Sequence, residues 1–150
     1  MITETRKGRK ISRFSVPWEE AYGYPQGVQV GDMIHLSGQL SHDLKGKLIA
    51  PAQLDANGVP VDHSTMEEQM RAAYANAATV LAEFGATLDD VVQETLFVID
   101  VPSAFAAATK VRKEAYGDDL PPVASNIIGV KSLAFPEQLI EISFRAVAGK

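Results

Sequence analysis

Residues 64–85 constrain the fold most, because their pattern is typical of a helix that packs along one face. The segment opens with Ser64-Thr65-Met66-Glu67, an S-x-x-E capping box in which Ser64 and Glu67 are expected to satisfy each other's backbone amides. Gly85 is expected to end the helix. The apolar positions at helical spacing are Met66, Met70, Ala73, Tyr74, Ala77, Val80, Leu81 and Phe84. Such a face must be buried, so the rest of the chain has to supply a second layer.

A second helical pattern lies in residues 102–116. Pro102 can open this helix, and Gly117 can end it. Its packed side is predicted to carry Phe105, Ala108, Val111, Arg112 and Tyr116. Two helices that each bury one face favour a sheet as their common partner.

Strand patterns surround the two helices, and Gly31-Asp32 predicts a two-residue hairpin turn between the first two strands. The strands are predicted at residues 27–30, 33–39, 91–99, 123–130 and 139–147. The order ββ–α–β–α–ββ predicts one α+β domain over residues 1–150, a two-layer sandwich whose mixed sheet carries both helices on one face. Residues 41–63 are predicted to form a long loop excursion.

The other face of the sheet needs a cover, and a second subunit is the simplest one. On the last strand, Glu141 lies between Ile140 and Ile142. Two interpretations of Glu141 stay equally open. It is either a solvent-facing strand residue or a partly buried acid, whose raised pKa would suit general acid–base catalysis near neutral pH.

The composition excludes several kinds of chemistry. The chain has no cysteine, so it has no disulfide framework, thiolate nucleophile or Cys-based metal site. The glycine-rich loops that cradle phosphates are absent as well. His35, His42 and His63 match no metal-ligand spacing, and we expect His42 on the loop surface and His35 in an interface or in packing. The sequence therefore predicts no cofactor and no metal, and a reducing cytoplasm is the expected location.

The charge distribution argues against nucleic acid as a partner. The formal net charge is −5, of which residues 1–13 contribute +4 and the remainder −9. An acidic body repels phosphate backbones. The basic residues 1–10 are predicted to form a flexible, solvated arm. No apolar run approaches the ~20 residues of a membrane helix, so no membrane partner is expected.

Four segments resemble the RidA/YjgF (Rid) family, and the similarity runs from about residue 11 to residue 148. They are Gly23-Tyr24-Pro25-Gln26-Gly27-Val28, Gly31-Asp32-Met33-Ile34-His35-Leu36-Ser37-Gly38-Gln39, Gly85-Ala86-Thr87-Leu88-Asp89-Asp90-Val91-Val92 and Leu139-Ile140-Glu141-Ile142. The resemblance implies a chorismate-mutase-like homotrimer with inward sheets and pockets between subunits. It also implies an activity, the cofactor-free hydrolysis of 2-enamine or 2-imine acids to 2-keto acids and ammonia.

The resemblance further implies site residues. Glu141 would position or deprotonate the water, and Tyr24 is the second catalytic candidate, with loop anchoring as an equal alternative. The candidate substrate-binding residues are Ser37, Gly38, Ser125 and Asn126.

One departure from the family pattern limits what the substrate can be. Where active imine deaminases carry an arginine for the substrate carboxylate, this chain has Ala124. Losing such a clamp should cost at least ~10–100-fold in binding. The family's frequent asparagine on the second helix corresponds here to Thr109 or Lys110. Arg145 is a candidate substitute for the clamp, and an exposed or interface arginine is the alternative.

Two functions remain open on the sequence alone. The first is a Rid-type hydrolase or deaminase that acts on an enamine, an imine or a related C–N bond of a small metabolite, though not on a simple 2-imino acid. The second is a trimer that binds a small metabolite without turning it over. RNA cleavage is least favoured, because the body is acidic and no histidine pair fits that reaction.

Overall fold

The computed structural model describes residues 2–5 and 7–149, and these residues form a seven-stranded mixed sheet. Its strands are β1 (Ile2–Glu4), β2 (Lys10–Ser12), β3 (Gly27–Val30), β4 (Met33–Gln39), β5 (Val91–Val98), β6 (Ala124–Gly129) and β7 (Ile140–Val147). Their order across the sheet is β1-β2-β3-β4-β7-β5-β6. Strand β6 runs parallel to β5, and the other neighbours are antiparallel.

Two long helices cover one face of this sheet, as predicted. The helices are α1 (Pro17–Tyr22), α2 (Met66–Glu83) and α3 (Val101–Tyr116). Helices α2 and α3 pack against each other, α2 also against β4 and β7, and α3 against β6. The fold class is therefore confirmed, with β1, β2 and α1 as additions that the sequence patterns did not predict. In the described part of the chain, no helix combines the length and the apolar character needed to cross a membrane.

Helix α2 begins differently from the predicted capping box. Its N-cap is Thr65, which makes no side-chain cap bond. The Ser64 hydroxyl instead donates to Asp62 at 2.7 Å, and Glu67 is engaged in ion pairs with two basic side chains. The predicted stop is confirmed, because Gly85 has a φ of 72° directly after the last turn.

The core lies between the helices and the inward side chains of β4, β5 and β7. Its buried members include Ile34, Leu36, Met70, Tyr74, Leu81, Leu96, Val111, Ile140, Ile142 and Phe144. Burying a side chain of this size contributes about 1.5–3 kcal/mol. The prediction that Phe105 lies on the packed side of α3 is wrong. Phe105 is 63% exposed, and Ala104 and Ala107 face the core instead.

The predicted arm consists, in its described residues, of paired strands. Strand β1 pairs with β2, and β2 extends the sheet from β3, whose edge would otherwise leave amides and carbonyls unpaired. Lys7, Arg9 and Lys10 are exposed, so their charges are solvated as expected. Met1 and Arg6, which also belong to the predicted arm, lie outside the described residues.

Side chains of α2 hold the long excursion of residues 41–63 in place. The Asn76 amide donates to the carbonyls of Leu40 and His42 at 2.8 and 3.1 Å. The Gln69 amide donates to the carbonyl of Ala50 at 2.9 Å. These bonds fasten the excursion to α2.

Candidate functional site

The sheet face turned away from α2 and α3 carries the candidate site. On β7, Ile142 and Phe144 are buried against the helices, so alternation turns Glu141, Ser143 and Arg145 to the open face. The strand register adds neighbours in rows: His35 and Gln93 flank Arg145, Thr95 lies beside Ser143, and Phe97 lies beside Glu141. Ala124, Asn126 and Ile128 of β6 continue these rows.

The Glu141 carboxyl group packs against the backbone of Gly38 on the neighbouring strand. An ideal β-carbon at position 38 would lie 2.6 Å from Cγ and 2.7 Å from Oε1 of Glu141. A β-bulge between Leu36 and Gln39 brings Gly38 to this place. Only a residue without a side chain leaves room here for the carboxyl group.

The Glu141 carboxyl group is largely buried and makes no hydrogen bond within the described residues. Burial alone raises the pKa of Glu141 above its ordinary value. An acid with a raised pKa and free oxygens can exchange a proton with a bound molecule near neutral pH. This is the property that the catalytic interpretation of Glu141 requires.

Tyr24 lies close enough to Glu141 for the two groups to interact. Burial raises the pKa of the Tyr24 phenol, and the charges of Glu141 and Glu19 add to this effect. The phenol therefore stays protonated at neutral pH and can donate a hydrogen bond. Its ring packs edge-on against Tyr22 with centroids 5.5 Å apart.

A buried polar chain supports the segment that carries Tyr24. Glu19 accepts hydrogen bonds from the amides of Phe14 and Ser15 at 2.7 and 2.9 Å, and from the Gln26 side chain at 2.8 Å. Gln26 in turn accepts from Gln39 at 2.9 Å. Sequence patterns did not reveal this chain of hydrogen bonds.

Ser37 belongs to the same support. Its hydroxyl donates to the carbonyl of Pro25 at 2.8 Å, and its amide donates to the carbonyl of Gln26 at 2.8 Å. Both groups therefore hold the 25–26 turn, next to Tyr24. The structure thus brings Tyr24, Ser37, Gly38 and Glu141 together.

The candidates on β6 lie elsewhere. Strand spacing puts the Cα of Asn126 about 12 Å from that of Glu141, and the Cα of Ala124 about 16 Å away. Both side chains are exposed on the open face. Ser125 points to the helical side, where its hydroxyl donates to Glu94 at 2.6 Å. Within one protomer, Ala124, Ser125 and Asn126 therefore do not share a pocket with Glu141.

Glu94 is the centre of a buried charge cluster that the sequence analysis missed. It accepts hydrogen bonds from Tyr74 and Tyr116 at 2.8 and 2.6 Å, and Arg112 donates to it at 2.6 Å. Burial, together with the Glu94 charge, raises the pKa of both tyrosines far above the usual range. The sequence contained a signal for this cluster. Tyr74, Arg112 and Tyr116 lie on the packed faces of two helices, and buried polar groups need hydrogen-bond partners.

The remaining candidates do not join the Glu141 group. Thr109 and Lys110 are exposed on α3, on the helical side. The prediction that His42 lies on the loop surface is wrong, because His42 is buried. Its ring packs edge-on between Phe14 and Trp18, with centroid distances of 5.2 and 5.1 Å.

The described residues hold no cluster of histidine, aspartate and glutamate that could bind a metal ion. The arrangement around Glu141 offers a proton acceptor, a phenolic donor and backbone groups. These groups suit the activation of a water molecule or the orientation of a small polar ligand.

Comparisons with known proteins agree with this fold. The sequence profile described as endoribonuclease L-PSP matches residues 17–148. Protein mmf2, mitochondrial, of Schizosaccharomyces pombe is 33% identical over 119 residues, which are 79% of this chain and 82% of that protein. A crystal structure of a YjgF/YER057c/UK114 family member from Mycobacterium tuberculosis has a TM-score of 0.72 at 24% identity and covers 93% of this chain and 99% of its own. E. coli TdcF, solved with bound serine, has a TM-score of 0.66 at 23% identity and covers 84% of this chain and 88% of its own.

Proposed function

The chain belongs to the endoribonuclease L-PSP family, which includes the YjgF/Rid proteins, and on that premise we propose that it is a cofactor-free hydrolase. Its substrate is a small metabolite with an enamine, an imine or a related C–N bond. One observation carries this proposal: the largely buried Glu141 carboxyl group, with a raised pKa and no hydrogen bond in the described part of the chain, lies beside Gly38 and within interaction range of Tyr24.

The geometry suggests how these groups would act. The ionised Glu141 accepts a proton from a water molecule while the water oxygen adds to the C=N carbon. Glu141 passes this proton to the nitrogen, which gives a carbinolamine. The carbinolamine hydroxyl then loses its proton to Glu141, which returns it to the nitrogen as the C–N bond breaks and the C=O bond forms, and ammonia leaves. Tyr24 donates a hydrogen bond that orients the substrate, and Gly38 leaves the space that the reacting atoms need.

The complete pocket in this proposal is formed between two subunits of a trimer. The β6 side of the open face is exposed in one protomer, and β6 is too far from Glu141 to contribute to the same pocket. A neighbouring β6, with Ala124 and Asn126, would close it. Because Ala124 offers no charged donor, the substrate is not a simple 2-imino acid. TdcF, a relative solved with bound serine, supports a small polar ligand.

Ala124 also favours a second candidate function, a trimer that binds a small metabolite without turning it over. A pocket that keeps its frame but lacks the group for gripping a carboxylate can retain binding while losing catalysis. For this candidate, a metabolite should raise the melting temperature while mass spectrometry finds no product.

The experiment that tests the hydrolase compares ammonia release from a panel of imines and enamines. We expect the wild type to exceed buffer and Glu141→Gln to fall to the buffer rate, because an amide cannot accept the proton. Glu68→Gln is the matched control, since Glu68 is exposed on α2. Equal rates for wild type and Glu141→Gln would remove Glu141 from the mechanism. The cytoplasmic location stays a prediction, which cell fractionation tests.

A further inference from the structure

We propose that the open face holds a second site, which binds a small molecule through a carboxylate or phosphate group. The site is a cavity of about 280 Å³ on β4, β7 and β5. The open-face side chains that line it are His35, Arg145, Gln93, Thr95 and Ser143. This inference does not depend on the proposed hydrolase.

All five side chains can donate hydrogen bonds, and none is acidic. The register places His35, Arg145 and Gln93 directly side by side, with Ser143 and Thr95 in the next row. Cross-strand neighbours have Cβ atoms about 4.5–5.5 Å apart, and successive rows lie about 7 Å apart. The donors of five side chains therefore border the same small cavity. Glu94 also borders the cavity, but its carboxylate is buried on the helical side and is already paired.

The charge of Arg145 is uncompensated within the described residues, in a chain whose net charge is −5. The other arginines on packed elements are matched: Arg71 pairs with Glu67 and Glu114, and Arg112 pairs with Glu94. Arg145 makes no ion pair or hydrogen bond in that part of the chain, and its direct neighbour is a histidine rather than an acid. The cross-strand neighbours His35 and Gln93 carry no negative charge, so an anion in the cavity would be the counter-ion of Arg145.

The site is separate from Glu141. Arg145 lies four positions after Glu141 on β7, which is about 13 Å along the strand. A ligand held by Arg145 therefore does not reach the Glu141 carboxyl group of the same protomer. If neighbouring subunits cover the open face, Arg145 loses water and its need for a counter-ion increases.

Isothermal titration calorimetry of the purified protein with succinate and with inorganic phosphate tests the site. We expect at least one anion to bind, and its identity distinguishes a carboxylate site from a phosphate site. Arg145→Gln should weaken that binding by about tenfold or more, because it removes the charge-assisted hydrogen bonds. The matched control Arg71→Gln, on the helical side, should change it less than about twofold. Glu141→Gln should also leave it intact, which separates this test from that of the hydrolase.

Two further measurements guard against a purely structural effect of the substitution. Thr95→Val keeps the shape of the side chain and removes one donor, so it should weaken binding by a few fold. The ring signals of His35, assigned by their loss in His35→Asn, should shift during the titration. The proposal is overturned if neither anion binds, if Arg145→Gln binds as tightly as the wild type, or if that variant changes the oligomer mass by light scattering.

Discussion

The Glu141 carboxyl group occupies the space in which a β-carbon of residue 38 would lie. Gly38→Ala should therefore turn the carboxyl group away and lower ammonia release by roughly 10–100-fold, because a displacement of about 1 Å suffices for that loss. The three atoms nearest to the added carbon all belong to Glu141. Any stability cost of Gly38→Ala in thermal unfolding should thus disappear in a Glu141→Ala background. An equal cost in both backgrounds would contradict the contact.

The buried Glu141 should make stability depend on pH. Because burial raises its pKa in the folded state, the protonated form favours folding and the ionised form opposes it. The penalty is absent below the ordinary glutamate pKa of about 4.3 and develops as the pH rises through the folded-state pKa. Glu141→Gln should melt at a higher temperature than the wild type at pH 7, and the difference should vanish near pH 4. If the two proteins differed in melting temperature by the same amount at every pH, Glu141 would be solvated rather than buried.

Ala124→Arg tests the missing carboxylate clamp. If the pocket otherwise resembles a deaminase, the new guanidinium should raise activity on 2-iminobutanoate by about 10–100-fold. Ala124→Gln, which is long and polar but uncharged, is the control, and steady-state ammonia release is the measurement. No gain with the arginine would mean that the pocket differs in further residues.

Glu94→Gln should destabilise the fold severely. The glutamine amide has one acceptor oxygen in place of two and no charge, so Arg112 loses its counter-charge, and breaking a buried ion pair costs about 3–5 kcal/mol. Urea unfolding followed by circular dichroism measures this loss. Glu114→Gln should have a much smaller effect, because its pair with Arg71 is exposed. Similar losses of stability in the two variants would show that the buried cluster contributes no more than an exposed ion pair.

Alkaline pH should destabilise the fold through the same cluster. The raised pKa of Tyr74 and Tyr116 means that their neutral forms support folding at neutral pH. This support is complete below the unfolded-state tyrosine pKa of about 10 and is lost as the pH rises above it. Urea midpoints should therefore fall between about pH 10 and pH 11. In Tyr74→Phe/Tyr116→Phe the fall should be shallower, and an unchanged slope would exclude the two phenols.

The periodic parts of the fold were predictable from sequence because burial repeats at fixed intervals. Strand β4 occupies the predicted residues, and α2 lies within its predicted segment. Strands β1 and β2 have three residues each, which is too few to show a period. Helix α3 is rich in alanine, so the sequence did not show that Ala104 rather than Phe105 faces the core, whereas Val111 and Tyr116 are buried as predicted.

The candidate site was predictable from the strand pattern at Glu141 and from the family resemblance elsewhere. The pattern left Glu141 open as a partly buried acid, and the resemblance supplied Tyr24, Ser37 and Gly38. Consecutive strand residues face opposite sides, so Ser125 and Asn126 were not both able to face one pocket. The surroundings of His42 depend on Phe14 and Trp18, which no local pattern connects to it.

The Glu94 cluster has a consequence for engineering this scaffold. Four groups from α2, α3 and β6 converge on one carboxylate, and the Ser125 hydroxyl is the contribution of β6. Anyone who grafts an arginine-bearing β6 from another family member onto this chain has to retain a hydroxyl at position 125. Without it, the transplanted strand would gain its new surface chemistry at the expense of an anchor in the protein interior.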